Sequence, residues 1–164
     1  MESRHEALMA AYPGVKDPAR RREILRQLLC DMPADAKDFF LQAFKKERYL
    51  DMKLFAVRGY AAYATEAEVA PLMKKLTELL LRRAEKTPYN YTEYEPMRSV
   101  FLMPYLCSRY GYACFNAFRA QLETLYHAMP DCFKDVFTLD ENGVVREIRD
   151  PKEVSRSWEA FWAE

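Results

Sequence analysis

Along most of the chain, apolar residues recur at intervals of three and four, the spacing that gathers them on one face of a helix. The opening dozen residues read as a short helix stopped at Tyr12-Pro13-Gly14. Asp17 reads as an N-cap with Pro18 at the first helical position, where a missing N–H costs nothing. Ile24, Leu25, Leu28 and Leu29 then turn inward, while Arg20, Arg21, Arg22 and Arg26 face water. Met32-Pro33 closes this helix, because the residue before a proline avoids the α region. A helix over about 34–46 buries Phe39, Phe40, Ala43 and Phe44. Over 48–64, Leu50, Leu54, Val57, Ala61 and Ala64 form a single apolar stripe.

The run T-E-A-E at 65–68 is a capping box opening a helix that reaches about 86, with Val69, Leu72, Leu76, Leu79 and Leu80 inward and a kink or short first turn expected at Pro71. Residues 87–96 have two prolines and no helical period, so a loop is expected there. Residues 97–110 are apolar nearly all round, the mark of a helix in the middle of a domain, bent at Pro104 and stopped at Gly111. A one-sided stripe returns over 112–129. Near the end the period changes: Asn142-Gly143 between two β-prone runs predicts a hairpin over about 136–149 with a type I′ turn. Asp150-Pro151 starts a last helix, about 151–163, anchored by Val154, Trp158 and Phe161 or Trp162. These elements predict one mainly α-helical domain over 1–164, a multi-helix bundle or short α-α superhelix carrying a C-terminal β-hairpin.

Composition sharpens the class more than the function. Twenty-three aromatic residues among 164 exclude a disordered chain, and only 4 glycines argue against a turn-dense sandwich or barrel. The 25 basic and 25 acidic residues cancel, which argues against nucleic acid or anionic lipid as a partner. The cancellation hides a gradient: residues 1–86 hold 17 Lys/Arg against 13 Asp/Glu, and residues 131–164 hold 5 against 9. Cys30, Cys107, Cys114 and Cys132 form no C-x-x-C pair. With no secretory signal and no apolar run of about 18 residues, a cytoplasmic chain without a membrane span is expected.

Repetition gives one further lead. A Met-Pro, then Lys-Asp, then an aromatic occurs at 31–40 and again at 129–137, each after an apolar helix. The stretch RYLDMKLFAVRGYAAYATEAEVAPLMKKL (48–76) resembles a HEAT-type helix pair, with an Asp, a basic residue at Lys53, the small Ala56 and Ala61, and a short turn into a proline-containing second helix. That resemblance implies stacked antiparallel helix pairs. In HEAT-like DNA glycosylases such a stack offers a basic concave surface with a few aromatic and carboxylate residues.

Catalytic chemistry leaves no signature. His5 and His127 have no carboxylate at a suitable local spacing, there is no G-x-S-x-G, and four scattered glycines build no phosphate loop. No E-x-x-H pair or calcium loop is present, so no metal and no cofactor are expected. Two patches could bind a macromolecule. Tyr89, Tyr91 and Tyr94, with Glu93, Glu95 and Arg98, crowd tyrosines onto a proline-bounded segment, and tyrosine is enriched at binding hot spots. Arg21, Arg22 and Arg26 on one helix, with Lys74, Lys75, Arg82 and Arg83 on another, would attract phosphates if the two helices lay side by side. The reading is a non-catalytic helical module for protein–protein interaction, of the regulatory-adaptor or immunity type, whose partner is another protein or a second copy of itself. A HEAT-like nucleic-acid-binding or base-repair protein is the alternative.

Overall fold

A computed structural model of the protein describes residues 3–164, which are mainly α-helical with one two-stranded hairpin near the C-terminus. The chain divides into two compact units, Met1–Val69 and Ala70–Glu164.

The first unit is built from α1 (Arg4–Ala11), α2 (Pro18–Asp31), α3 (Lys37–Lys46) and α4 (Leu50–Ala61). Local chemistry sets most of the boundaries. Ser3 and Glu6 cap α1 reciprocally, and a 3-10 turn at Tyr12–Gly14 follows it. The Asp17 side chain accepts from Ala19 N at the start of α2, and Met32 ends that helix in the left-handed region at φ 46°. Helix α3 begins three residues later than its pattern suggests, since Pro33 and the turn behind it occupy 32–36.

Helix α4 departs most from its pattern. The single stripe of the sequence becomes a helix buried on nearly every side, Asp51 and Lys53 included, with α2 and α3 packed against it. Its charged residues survive burial because each has an internal partner. Arg22 Nη2 donates to Asp51 Oδ2 at 2.8 Å, and Lys53 Nζ donates to the Phe44 carbonyl at 2.6 Å. Even with Arg22 beside it, burial holds the Asp51 carboxyl above its usual range. Gly59 lets Phe40 of α3 lie directly on the α4 backbone.

Helix α5 (Glu66–Lys86) starts in the first unit and continues into the second. The capping box forms as expected: Glu68 N donates to Thr65 Oγ1 and Thr65 N to Glu68 Oε1, 3.0 Å away. The helix runs without a break through Pro71, which lies near enough the N-terminus to forgo only one early bond. Val69, Met73, Leu76 and Leu80 are its buried positions.

The second unit adds α6 (Tyr91–Arg98), α7 (Met103–Tyr110), α8 (Ala113–His127), the strands β1 (Phe137–Leu139) and β2 (Val145–Glu147), and α9 (Pro151–Ala163). Two expectations are corrected here. The presumed loop over 87–96 is helical from Tyr91, Asn90 carbonyl bonds supplying its first turn. The presumed single helix over 97–110 is two pieces, because Ser99 leaves the helical region and Pro104 enters at the first turn of α7. Gly111 closes α7 at φ 68°, a conformation that favours glycine. Helix α6 lies against α8, α7 and β1, and Phe115, Phe118, Leu122 and Tyr126 of α8 are buried.

The hairpin has the expected place but another turn. Leu139 pairs with Val145, Asp140 N donates to the Val144 carbonyl, and Gly143 N donates to the Asp140 carbonyl. The result is a three-residue loop, Glu141-Asn142-Gly143, with Gly143 at φ 78°, rather than a two-residue type I′ turn. Asp140 selects this form by accepting from Asn142 N and Val144 N at 2.8 and 3.0 Å.

Candidate functional site

The tyrosine segment and α9 together line a cleft of about 540 Å³ in the second unit. Local backbone shapes its first wall. Tyr89 adopts φ 65°, uncommon for a residue with a Cβ, and an inverse γ-turn at Asn90 follows, with Tyr91 N donating to the Tyr89 carbonyl at 2.8 Å. Ring packing holds that shape. Tyr89 stacks on Phe133 at 5.4 Å and meets Phe161 edge-on, while Tyr91 contacts Phe137 and Trp158. Helix α9 supplies the facing wall through Val154, Ser155, Trp158 and Glu159. Burial and the Glu95 charge raise the Tyr91 hydroxyl pKa, opposed by the Trp158 indole N–H. The Trp158 indole nitrogen is buried and has no hydrogen-bond acceptor.

The six residues singled out by sequence for partner binding divide sharply. Tyr89 and Tyr91 are half-buried on the cleft wall. Tyr94, Glu93 and Glu95 are buried. Glu93 accepts from Arg83 Nη1 at 2.9 Å and from Asn90 Nδ2 at 2.6 Å, tying α6 to α5. Arg98 is half-buried and bidentate on Glu123 at 2.9 and 3.0 Å, with its guanidinium 3.6 Å from the centre of the Tyr126 ring.

Glu95 is the hub of a buried network that joins α6, α8 and the hairpin. Its carboxylate accepts from Val136 N at 3.0 Å, Phe137 N at 2.8 Å and the Tyr126 hydroxyl at 3.3 Å. The Tyr126 hydroxyl in turn accepts from Asp135 N at 3.1 Å. Burial pushes the Glu95 carboxyl above its ordinary range despite these donors, and burial likewise moves the Tyr126 hydroxyl up to about 12. Every oxygen of this carboxylate is committed to holding the start of β1, so its chemistry is structural.

The basic residues are largely committed within the chain. Arg21 is held by Glu47, Arg22 by Asp51, Arg26 by Glu23 and Arg83 by Glu93, leaving Lys74, Lys75 and Arg82 exposed. His5 meets Asp31 at 3.1 Å. His127, expected to have no local carboxylate, lies 3.1 Å from Glu123 one helical turn earlier, but that carboxylate already serves Arg98 and the imidazole is exposed. Among the described residues no three His, Cys, Asp or Glu side chains are grouped to hold a metal, and no helix is long and apolar enough to cross a membrane.

Trp158 and Trp162 lie one turn apart on α9, where the sequence pattern marks them only as helix anchors. Trp158 is half-buried against Phe133, whereas Trp162 is 57% exposed beside it. A sequence signal for this did exist: Trp158, Phe161 and Trp162 put more aromatic surface on one helical face than a short hairpin can cover. Comparison with known proteins found no matching family model, no matching curated protein and no matching solved structure.

Proposed function

We propose that the chain is a non-catalytic interaction module that binds another protein through the cleft between the Tyr89–Tyr91 segment and α9. The observation that carries this reading is where the large exposed apolar side chains fall. Among the described residues there are seven, and Val144, Val145, Ile148 and Trp162 all lie in the hairpin and α9. Trp162 continues the aromatic wall of the cleft through Trp158, and an indole is among the commonest interface anchors. The surplus of acid over base in residues 131–164 matches a partner with a basic contact surface. The nucleic-acid alternative draws no comparable support, since Arg21, Arg22, Arg26 and Arg83 are spent on carboxylates.

Tryptophan 162 gives the clean test because it is exposed. Affinity capture from the source lysate is run with wild type and Trp162→Ala as bait, with protein and nucleic acid read out separately. A protein retained at moderate salt by wild type and lost by Trp162→Ala, with both baits melting alike, is the expected result. A hot-spot tryptophan is worth at least about 2 kcal/mol, or some thirtyfold in affinity. Equal retention by both baits overturns the assignment to this face, and recovery of nucleic acid alone that washes off with salt overturns the module. Self-association would appear instead as a mass that rises with concentration in light scattering.

A further inference from the structure

The first unit has a cleft of its own, and its chemistry is unlike that of the aromatic one. About 390 Å³ in volume, it opens where the 3-10 turn, the start of α2 and the α3–α4 connection converge. Four cations line it, Lys16, Arg21, Lys46 and Arg48, against one carboxylate, Glu47. That carboxylate is buried and already engaged: it accepts from the Tyr12 hydroxyl and from Arg21 Nε, the latter at 2.8 Å. Arg21 is anchored further by the Val15 and Lys16 carbonyls at 3.3 and 2.8 Å. Its guanidinium therefore contributes a fixed positive field and few free donors. Lys16 and Lys46 are exposed and form no ion pair among the described residues. The Asp17 cap sits at the N-terminus of α2, so the helix dipole adds little, and the lysines are the groups able to reach a ligand.

The rest of the lining is apolar or aromatic. Pro13, Val15, Pro18 and Tyr49 line the cleft, Tyr49 being 43% exposed. Two exposed lysines beside an exposed tyrosine are matched by a ligand that is part polyanion and part flat ring. The volume lies at the lower end of the range for small-molecule sites, about 300–1,000 Å³, and suits one such molecule rather than a strand. We propose that this cleft binds a nucleoside phosphate, with Lys16 and Lys46 on the phosphates and the base against Tyr49.

The test is calorimetric titration of the full chain with ADP, pyrophosphate and adenosine at about 50 and about 200 mM salt. ADP should bind more tightly than either fragment and weaken several-fold at the higher salt. Lys16→Glu/Lys46→Glu, both exposed positions, should reduce ADP affinity at least tenfold while leaving the melting curve in place. Tyr49→Ala should weaken ADP and leave pyrophosphate unchanged. Absence of ADP binding at millimolar concentration in low salt would overturn the proposal, as would binding that survives the double charge reversal. Pyrophosphate binding as tightly as ADP, with no effect of Tyr49→Ala, would overturn the nucleoside assignment.

Discussion

Replacing Gly59 with alanine tests the packing of the first unit, because two textures of the same helix pull in opposite directions. In an isolated helix the change is favourable by about 1 kcal/mol, glycine being the weaker helix former. Here the added Cβ would fall inside contact distance of Phe40 Cδ1 and Cε1 and 2.5 Å from Cγ. Ordinary carbon contacts lie near 3.5–4.0 Å, so about 1 Å of movement is required. The ring has little room to give: it is fully buried, edge-on to Phe39 at 5.4 Å and stacked on Tyr63 at 6.4 Å. Overpacking costs about 1–3 kcal/mol, and about 1 Å of movement asked of a fully buried ring places this case in the upper part of that range, which leaves Gly59→Ala destabilising by about 1–2 kcal/mol net. Urea unfolding followed by far-ultraviolet circular dichroism measures it, and a double-mutant cycle identifies the cause. Phe40→Ala alone should cost about 3–5 kcal/mol. Combined with Gly59→Ala it should cost less than the sum by at least about 1 kcal/mol, since the new methyl enters space the ring has left. An unchanged or raised midpoint for Gly59→Ala, or strict additivity, would refute this account of how α3 meets α4.

Two further outcomes follow from the second unit. Glu95→Gln should destabilise by about 2–3 kcal/mol, because an amide can supply only one of the two acceptor oxygens that the β1 backbone uses. Its pH dependence has a definite sign: a carboxyl raised in the folded state favours folding below its unfolded pKa and loses that advantage as pH rises through the folded value. The wild-type lead over Glu95→Gln should therefore widen as pH falls from 7 towards 4.5, and thermal melts across that window that show it narrowing would contradict the burial argument. Leu102→Ala should cost about 2–5 kcal/mol, since Leu102 is fully buried at the junction of α6 and α7, and an unshifted melting curve would contradict that placement.

What was legible in the sequence was what neighbouring residues decide. Asp17-Pro18 and Thr65 with Glu68 announce helix starts because their hydrogen bonds close within three residues. Asn142-Gly143 announced a hairpin, though Asp140 two residues earlier chose its turn. What could not be read was burial decided by distant partners. Asp51 and Lys53 look like the wet side of α4 until Arg22, 29 residues away, and the Phe44 carbonyl are brought against them. The same limit explains the tyrosine segment. Its Glu95 resembles rim charge, but its donors are backbone groups 41 and 42 residues later, and backbone N–H groups leave no trace in a sequence. Tyr94 is buried as part of that same closure, so of the three tyrosines only Tyr89 and Tyr91 reach the cleft.

Because Glu95 holds β1 by its main chain rather than by its side chains, the constraint it imposes on the strand is lopsided. Substitution at 136 and 137 leaves the grip intact so long as neither position becomes proline, the residue without an N–H to offer. Position 95 has no such latitude, and its loss would release β1 together with the aromatic helix that follows. Mutational scanning of this unit should therefore show an intolerant acid facing two positions that accept other apolar residues but not proline, with amide exchange at 136 and 137 accelerating together whenever residue 95 is changed.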